Sequence, residues 1–180
     1  MAYFQLSAPH VPADPYDILA KTGGPVPPAE LRLMLQDLLA QRFKLALHRE
    51  TRMLPVYELV VGKDRLRLSP SDASASRSPT HAAESLPRIR NDSFLFSDVS
   101  MPEFAAMLMQ LRGVDLPVVD HTGITGTFDI ELKSAPAATR DGNTAALFDI
   151  IENQLGLRLK SAKAPIEILV IDHAEKPSRN

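Results

Sequence analysis

The residue types best suited to chemistry stand where the last apolar run of the chain ends. Residues 166–171 are all apolar except for Glu167, and Asp172 and His173 follow them directly. A carboxylate beside an imidazole is a candidate acid–base pair, and His48 holds the comparable position in the first half of the chain. The plainer interpretation is that a buried strand reaches water here, where polar residues must begin. The sequence leaves both interpretations open.

A second candidate is the segment "DHTGITG", residues 120–126. Asp120, His121 and Thr122 would line a site in which Gly123 lets backbone amides approach a ligand. The alternative is a hairpin turn that needs a positive φ at Gly123 or Gly126. The turn requires no ligand and explains the glycines equally well.

The segment "HRETR", residues 48–52, alternates charge at the end of a predicted strand. Such a pattern is typical of a solvated sheet edge that blocks further strand pairing. As a functional patch, His48, Arg49, Glu50 and Arg52 would bind an acidic partner. Together with Thr122 and Gly123, these residues are the candidate binding positions.

Other catalytic and metal-binding patterns are weak. Ser100 is a possible nucleophile, but Glu103 follows it at the S-x-x-E spacing of a helix capping box, and the chain has no G-x-S-x-G motif. The chain has no H-E-x-x-H, and "RDGN" (140–143) is only a fragment of a calcium loop. With no cysteine, thiolate zinc sites and cysteine nucleophiles are excluded. We therefore predict no metal site and no cofactor.

Composition narrows the class of protein. The chain has 180 residues, 44% of them hydrophobic and 23% charged, which is typical of a globular protein with a sizeable core. A net charge of −2 without a basic stripe argues against nucleic acid as a partner. No apolar run approaches the ~20 residues of a membrane span. No signal peptide is evident at the N-terminus, so the protein is either cytoplasmic or has lost a leader.

The first half of the chain predicts a strand, a helix and two further strands. "YDILAK" (16–21) alternates like a short strand. The apolar residues of "AELRLMLQDLLAQRF" recur at helical spacing, with Pro28 suited to the first turn, and this predicts a helix with one buried face. Its apolar positions are Leu31, Met34, Leu35, Leu38 and Leu39. "FKLALHRE" and "PVYELVV" then predict an antiparallel pair of strands.

Residues 69–92 are rich in Ser, Pro and Ala without periodicity, which predicts a flexible linker. Beyond it, "SMPEFAAMLMQLRG" predicts a helix that ends at Gly113. "LPVVDHTGITGTFDIELK" predicts strand, turn and strand, and residues 144–155 predict another helix that stops near Gly156. "LRLKS" and "IEILVID" predict the last two strands.

The two halves form a weak internal repeat of strand, helix, strand, strand. We expect an α+β fold in which both units contribute to one mainly antiparallel sheet with the helices packed on one face. The expected organisation is a first unit over 1–68, the linker over 69–92, and a second unit over 93–180, co-folded as one domain. The continuous apolar run near the C-terminus predicts a strand in the interior of the sheet.

Three long strings carry a family resemblance: "LRLMLQDLLAQRFKLALHRETRMLPVYELVV", "PVVDHTGITGTFDIEL" and "LGLRLKSAKAPIEILVIDHAEKPSRN". They resemble the soil-associated family of unknown function that is abundant in Acidobacteria. Members of that family carry secretion signals, and some are joined to membrane metallopeptidases similar to the beta-lactam sensor. The resemblance implies a periplasmic or secreted protein, although the family has no established activity.

The segment from Ser100 to Asp172 also resembles the short N-terminal domain of secretins and TonB-dependent receptors, on the strings "LRGVDLPVV", "GITGTFDIEL" and "QLGLRL". Those domains bind protein partners in the periplasm. This resemblance is one of fold, so it implies partner binding only by analogy.

Two functions follow from the sequence. The first is a non-catalytic, exported module that binds a protein, such as an envelope protein, or another ligand. The second is a small hydrolase of esters, lactones or amides that uses His173 or His121 with a neighbouring carboxylate. A single pocket that unites histidines with a serine would favour the second.

Overall fold

A computed structural model of the chain describes residues 6–7, 15–71, 87–140 and 142–177. Its helices are α1 (Pro28–Arg42), α2 (Met101–Leu108), α3 (Ala135–Arg140) and α4 (Thr144–Leu155). Its strands are β1 (Leu6–Ser7), β2 (Ala46–Val61), β3 (Ser69–Pro70), β4 (Arg88–Arg90), β5 (Ser93–Val99), β6 (Val118–Asp120), β7 (Phe128–Lys133) and β8 (Leu157–His173). The predicted α+β class is confirmed.

The strands form two four-stranded sheets, so the prediction of one shared sheet is wrong. One sheet has the order β1-β8-β2-β6, and the other has the order β3-β7-β5-β4. In the first sheet β1 is parallel to β8 and β6 is parallel to β2, whereas in the second sheet β3 and β5 are antiparallel to β7 and β4 is antiparallel to β5. Alternating apolar residues predict that a segment is a strand, but they do not specify its partner.

Each of the two longest strands joins two segments that were predicted as separate strands, and the first two of these segments were predicted to pair antiparallel. "FKLALHRE" and "PVYELVV" lie largely in the continuous strand β2, and "LRLKS" and "IEILVID" lie in β8. Pro55 and Pro165 do not end these strands, because proline fixes φ at a value that extended backbone tolerates and removes only one donor. β8 is an interior strand, as its apolar run predicted.

The helices agree better with prediction than the short strands do. The predicted helices correspond to α1, α2 and α4, although α2 ends at Leu108 rather than at Gly113. α4 ends at Gly156, which has a φ of +71°. Residues 16–20 of "YDILAK" are in no strand, and α3 was not predicted.

The predicted linker is only partly described. Residues 72–86 lie outside the described residues, whereas both ends of the predicted segment form strands, β3 and β4. The turn between β4 and β5 has positive φ at Asn91 and Asp92, as a two-residue type I′ hairpin requires. Residues 69–70 and 88–90 are therefore parts of a sheet rather than linker.

The chain divides into two compact units. One comprises Tyr3–Arg52 with Pro165–Asn180, and the other comprises Met53–Ala164. These bounds differ from the predicted 1–68 and 93–180, because β2 and β8 each contribute to both units.

The second unit holds a dense core. β7 alternates strictly between buried and exposed residues, and its buried side chains join those of β5, α2 and α4 in one cluster. Phe96 and Phe104 meet edge to face with ring centroids 5.1 Å apart. Among the described residues of the first unit, by contrast, only Ile168 is a buried hydrophobic side chain.

Candidate functional site

In the first unit, β2 and β8 bring His48 and Asp172 together. The His48 Nδ1 atom lies 2.8 Å from Asp172 Oδ1 and 2.9 Å from Oδ2. Both side chains are about half exposed, at 51% and 47%. The contact joins residues 124 positions apart, so it depends on the pairing of the two strands. A carboxylate that holds an imidazole in this way is the orienting half of a catalytic triad.

His173 does not pair with its neighbour Asp172. Its Nε2 atom lies 2.9 Å from Glu175 Oε1. Successive side chains of a strand point to opposite faces, so adjacent residues of β8 cannot both face His48. Glu175 was not among the predicted site residues, because it follows the strand in a segment without regular periodicity.

The charged patch at residues 48–52 is paired internally. Arg49 donates to Glu167, and Arg52 donates to Glu50 over 2.7 Å. The hydrogen bond from Arg52 holds the pKa of the Glu50 carboxyl below its usual value. Since both arginines already have carboxylate partners, an acidic ligand would have to displace those carboxylates. The patch is thus better suited to solvation than to gripping an acidic partner.

The second unit holds a separate pair of a histidine and a carboxylate. The Nδ1 atom of His121 lies 3.2 Å from Glu58 Oε1, and the histidine side chain is 50% exposed. No sequence pattern pointed to Glu58, which lies on β2 and meets the residue after β6 because these two strands pair in parallel.

Asp120 and Thr122 shape the turn that follows β6. The Asp120 carboxylate accepts a hydrogen bond from the Thr122 N–H over 2.9 Å, and the Thr122 hydroxyl accepts one from the Ile124 N–H over 3.1 Å. Gly123 and Gly126 have φ values of +68° and +97°, so the predicted positive φ is confirmed. The prediction of a hairpin is wrong, because β6 and β7 belong to different sheets.

Ser100 caps α2. Its N–H donates to Glu103 Oε2 over 2.8 Å, and its hydroxyl donates to the same oxygen over 2.6 Å. The predicted capping box is confirmed. The hydroxyl is thereby engaged in holding the helix start rather than presented to a histidine.

Among the described residues, no three histidine, aspartate or glutamate side chains converge as a metal site would require. The described histidines are also without a hydroxyl partner, because each of their recorded contacts is to a carboxylate. Each unit therefore contains histidine–carboxylate pairs, and no described serine or threonine hydroxyl contacts their histidines.

In the first unit, α1 presents several exposed apolar side chains. No residue of this helix is buried by any described part of the chain. Four of its large apolar side chains are 42–61% exposed: Leu31, Leu33, Met34 and Leu35. The prediction of a buried face on this helix, including Leu38 and Leu39, is wrong, since those two leucines are only half-buried. The sequence did not indicate that this helix is exposed, because the apolar residues of α1 have the same spacing as those of a core helix.

Two grooves are present in the second unit. One of about 750 Å³ lies beside β7 and the end of α4, and one of about 590 Å³ lies near α3 and the loop after α2. No histidine lines either groove. The predicted catalytic histidines therefore lie in neither of these two grooves.

A family model described as "Protein of unknown function (DUF3738)" matches residues 5–174. The chain belongs to this family. No curated protein and no solved structure matches the chain significantly. No helix in the described part of the chain has the length and apolar character needed to cross a bilayer.

Proposed function

We propose that this chain is a non-catalytic, exported module that binds another protein through α1. The observation that carries the proposal is the exposure of this helix: fifteen residues, none buried, with leucine and methionine side chains open to solvent. A contiguous exposed apolar surface on a folded protein typically marks an interaction site.

The spacing of the exposed side chains indicates how a partner would bind. Leu31, Met34, Leu35 and Leu38 lie at i, i+3, i+4 and i+7, which is the anchor pattern of a helix bound in the apolar groove of another protein. Full burial of one such side chain contributes ~1.5–3 kcal/mol. Covering the three of them that are about half exposed, Leu31, Met34 and Leu35, would gain on the order of 2–4 kcal/mol before the costs of association.

The charges of α1 favour a protein over a lipid surface as the occupant. Helices that lie on membranes are rich in Lys and Arg on their polar face. α1 instead carries both signs, with Glu30 and Asp37 beside Arg32 and Arg42. The partner we propose is therefore a protein with an apolar groove and a mixed-charge rim.

The proposed setting is the cell envelope. This rests on the resemblance to the soil-associated family of Acidobacteria, whose members carry secretion signals, and the proposed partner is accordingly an envelope protein. The similarity of residues 100–172 to periplasmic partner-binding domains supports the same setting.

The experiment compares two double variants of equal charge. Leu31→Glu with Leu35→Glu places two carboxylates on the exposed apolar face. Gln36→Glu with Ala40→Glu places two on the opposite side of the same helix. A photo-crosslinking residue at position 34, on the same face of α1 as Leu31 and Leu35, first captures the partner from envelope extracts. The purified partner is then titrated against wild type and both variants.

We expect the leucine double variant to bind at least tenfold more weakly while the control variant binds like wild type, with unchanged melting of both. A large drop in melting temperature for the leucine variant alone would show that the chain itself covers α1. Equal binding by all three proteins would reject the surface. A concentration-dependent dimer that is lost in the leucine variant would show that the partner is a second copy of this chain rather than another protein.

A hydrolase is the second candidate function, and the His48–Asp172 pair is the observation that favours it. If His48 is a general base, His48→Ala should lower the hydrolysis of some ester, lactone or amide by ~10²–10⁴-fold. His173→Ala is the matched control, because it removes an exposed histidine next to Asp172 on β8 that pairs with Glu175 instead. Turnover that survives His173→Ala and vanishes in His48→Ala, with normal melting, would establish the hydrolase.

A further inference from the structure

The smaller groove of the second unit combines an apolar lining with two arginines. Its volume is about 590 Å³, within the range of small-molecule sites. Its lining includes Ile89, Phe94, Leu111 and Pro136 together with Arg112 and Arg140. Phe94 and Leu111 belong to the buried core, so the floor of the groove is continuous with a rigid part of the unit.

Both arginines lack partners. Within the part of the chain that the structure describes, neither Arg112 nor Arg140 makes an ion pair or a side-chain hydrogen bond. Asp92 lines the same groove and pairs with neither of them. Among the described residues that line the groove, one carboxylate stands against two guanidinium groups. This contrasts with Arg49 and Arg52 of the first unit, which already hold carboxylates.

The backbone holds the two arginines near each other. Gly113, the residue after Arg112, has a φ of +90°, and a β-carbon there would lie 3.2 Å from the Gly142 carbonyl oxygen. The Thr144 hydroxyl donates to the Gly113 carbonyl, which ties the two loops together. The close approach requires glycine at position 113 because any side chain would press on backbone. Arg112 therefore lies in a loop that is fixed against the segment following α3, the helix in which Arg140 is the last residue.

We propose that this groove binds a small organic anion, with a carboxylate or phosphate head on an apolar body. Guanidinium groups present paired donors that match the oxygens of either head, and no protein group occupies those donors. The apolar lining would cover the body of the ligand. The inference is independent of the proposed function, since it concerns the second unit and shares no residue with α1.

Calorimetric titration of the full chain with four probes tests the proposal. Decanoate and decyl phosphate carry the two anionic heads on the same apolar body, decanol has no charge, and acetate has no apolar body. We expect saturable binding of at least one of the two amphiphilic anions. Decanol and acetate should bind at least tenfold more weakly than that anion. The relative affinity of decanoate and decyl phosphate identifies the preferred head.

Two double variants of equal charge locate the site. Arg112→Gln with Arg140→Gln should weaken the anion about tenfold to a hundredfold, the effect of losing charge-assisted hydrogen bonds. Arg88→Gln with Arg90→Gln should not weaken it, because these residues flank Ile89 on β4 and point away from the face that Ile89 occupies. Loss of affinity in both variants, or absence of saturable binding to wild type with every probe, would overturn the proposal. If acetate bound as tightly as the amphiphilic anions, the apolar lining would contribute nothing, and the proposed apolar body of the ligand would be wrong.

Discussion

Replacing Leu108 with Ala tests the structure most directly, because this residue lies on α2 at the centre of the second unit. Its side chain is fully buried and belongs to the same core cluster as Phe104, Leu132 and Ile151. Removing a buried leucine side chain costs the lost transfer free energy plus the cavity that remains, ~2.7–5 kcal/mol in well-packed sites. Full burial in a cluster of rigid aromatic and branched residues places Leu108 toward the upper half of that range, at about 3–5 kcal/mol.

The assay is urea unfolding followed by circular dichroism, and the control is Leu35→Ala. The control makes the same chemical change on α1, where the side chain is 46% exposed, so its cost should stay below about 1 kcal/mol. Leu38→Ala, at a half-buried site, should fall between these two variants. Equal losses in free energy of unfolding for Leu108→Ala and Leu35→Ala would refute the assignment of α1 as an exposed helix.

Two further predictions concern the second unit. Gly156→Ala should cost about 2–5 kcal/mol in the free energy of unfolding, because the residue has a φ of +71° and a β-carbon there would lie 2.6 Å from the Arg65 carbonyl oxygen. Denaturant titration measures this cost, and a value below about 1 kcal/mol would contradict the close contact. Burial and the hydrogen bond to Asp115 raise the pKa of Tyr57 above its usual value of 10.0, so this tyrosine contributes stability that is complete below that pH and is lost as the pH rises through the folded-state pKa. Asp115→Asn should lower the pKa of Tyr57 only in part, since burial is the larger cause, and absorbance titration of the phenolate against a Tyr57→Phe blank measures it.

Local signals in the sequence were sufficient for the helices. The S-x-x-E spacing of Ser100 and Glu103 predicted the capping box at the start of α2, and Gly156 predicted the end of α4. These features involve residues within one or two turns of each other. Their geometry is set by the backbone of one element, so nearby residues are enough to specify it.

Such local signals could not predict which strands pair. Apolar alternation indicated strands within β2 and β8, but it predicted two separate strands where each segment is one continuous strand. The segment at 120–126 correctly predicted positive φ at its glycines, yet the strands on either side of it join different sheets. The choice of partner depends on which distant strands can cover the same core face, and no local pattern specifies that choice.

By itself, the sequence determined the α+β class, the positions of three helices and the turn chemistry, because each depends on the preferences of neighbouring residues. Only the tertiary structure decided which side chains meet. It paired His48 with Asp172 across 124 positions and left Arg112 and Arg140 unpaired in a shared groove. It also decided that the apolar face of α1 is exposed, because periodicity shows that a helix has such a face, whereas burial depends on what the rest of the fold places against it.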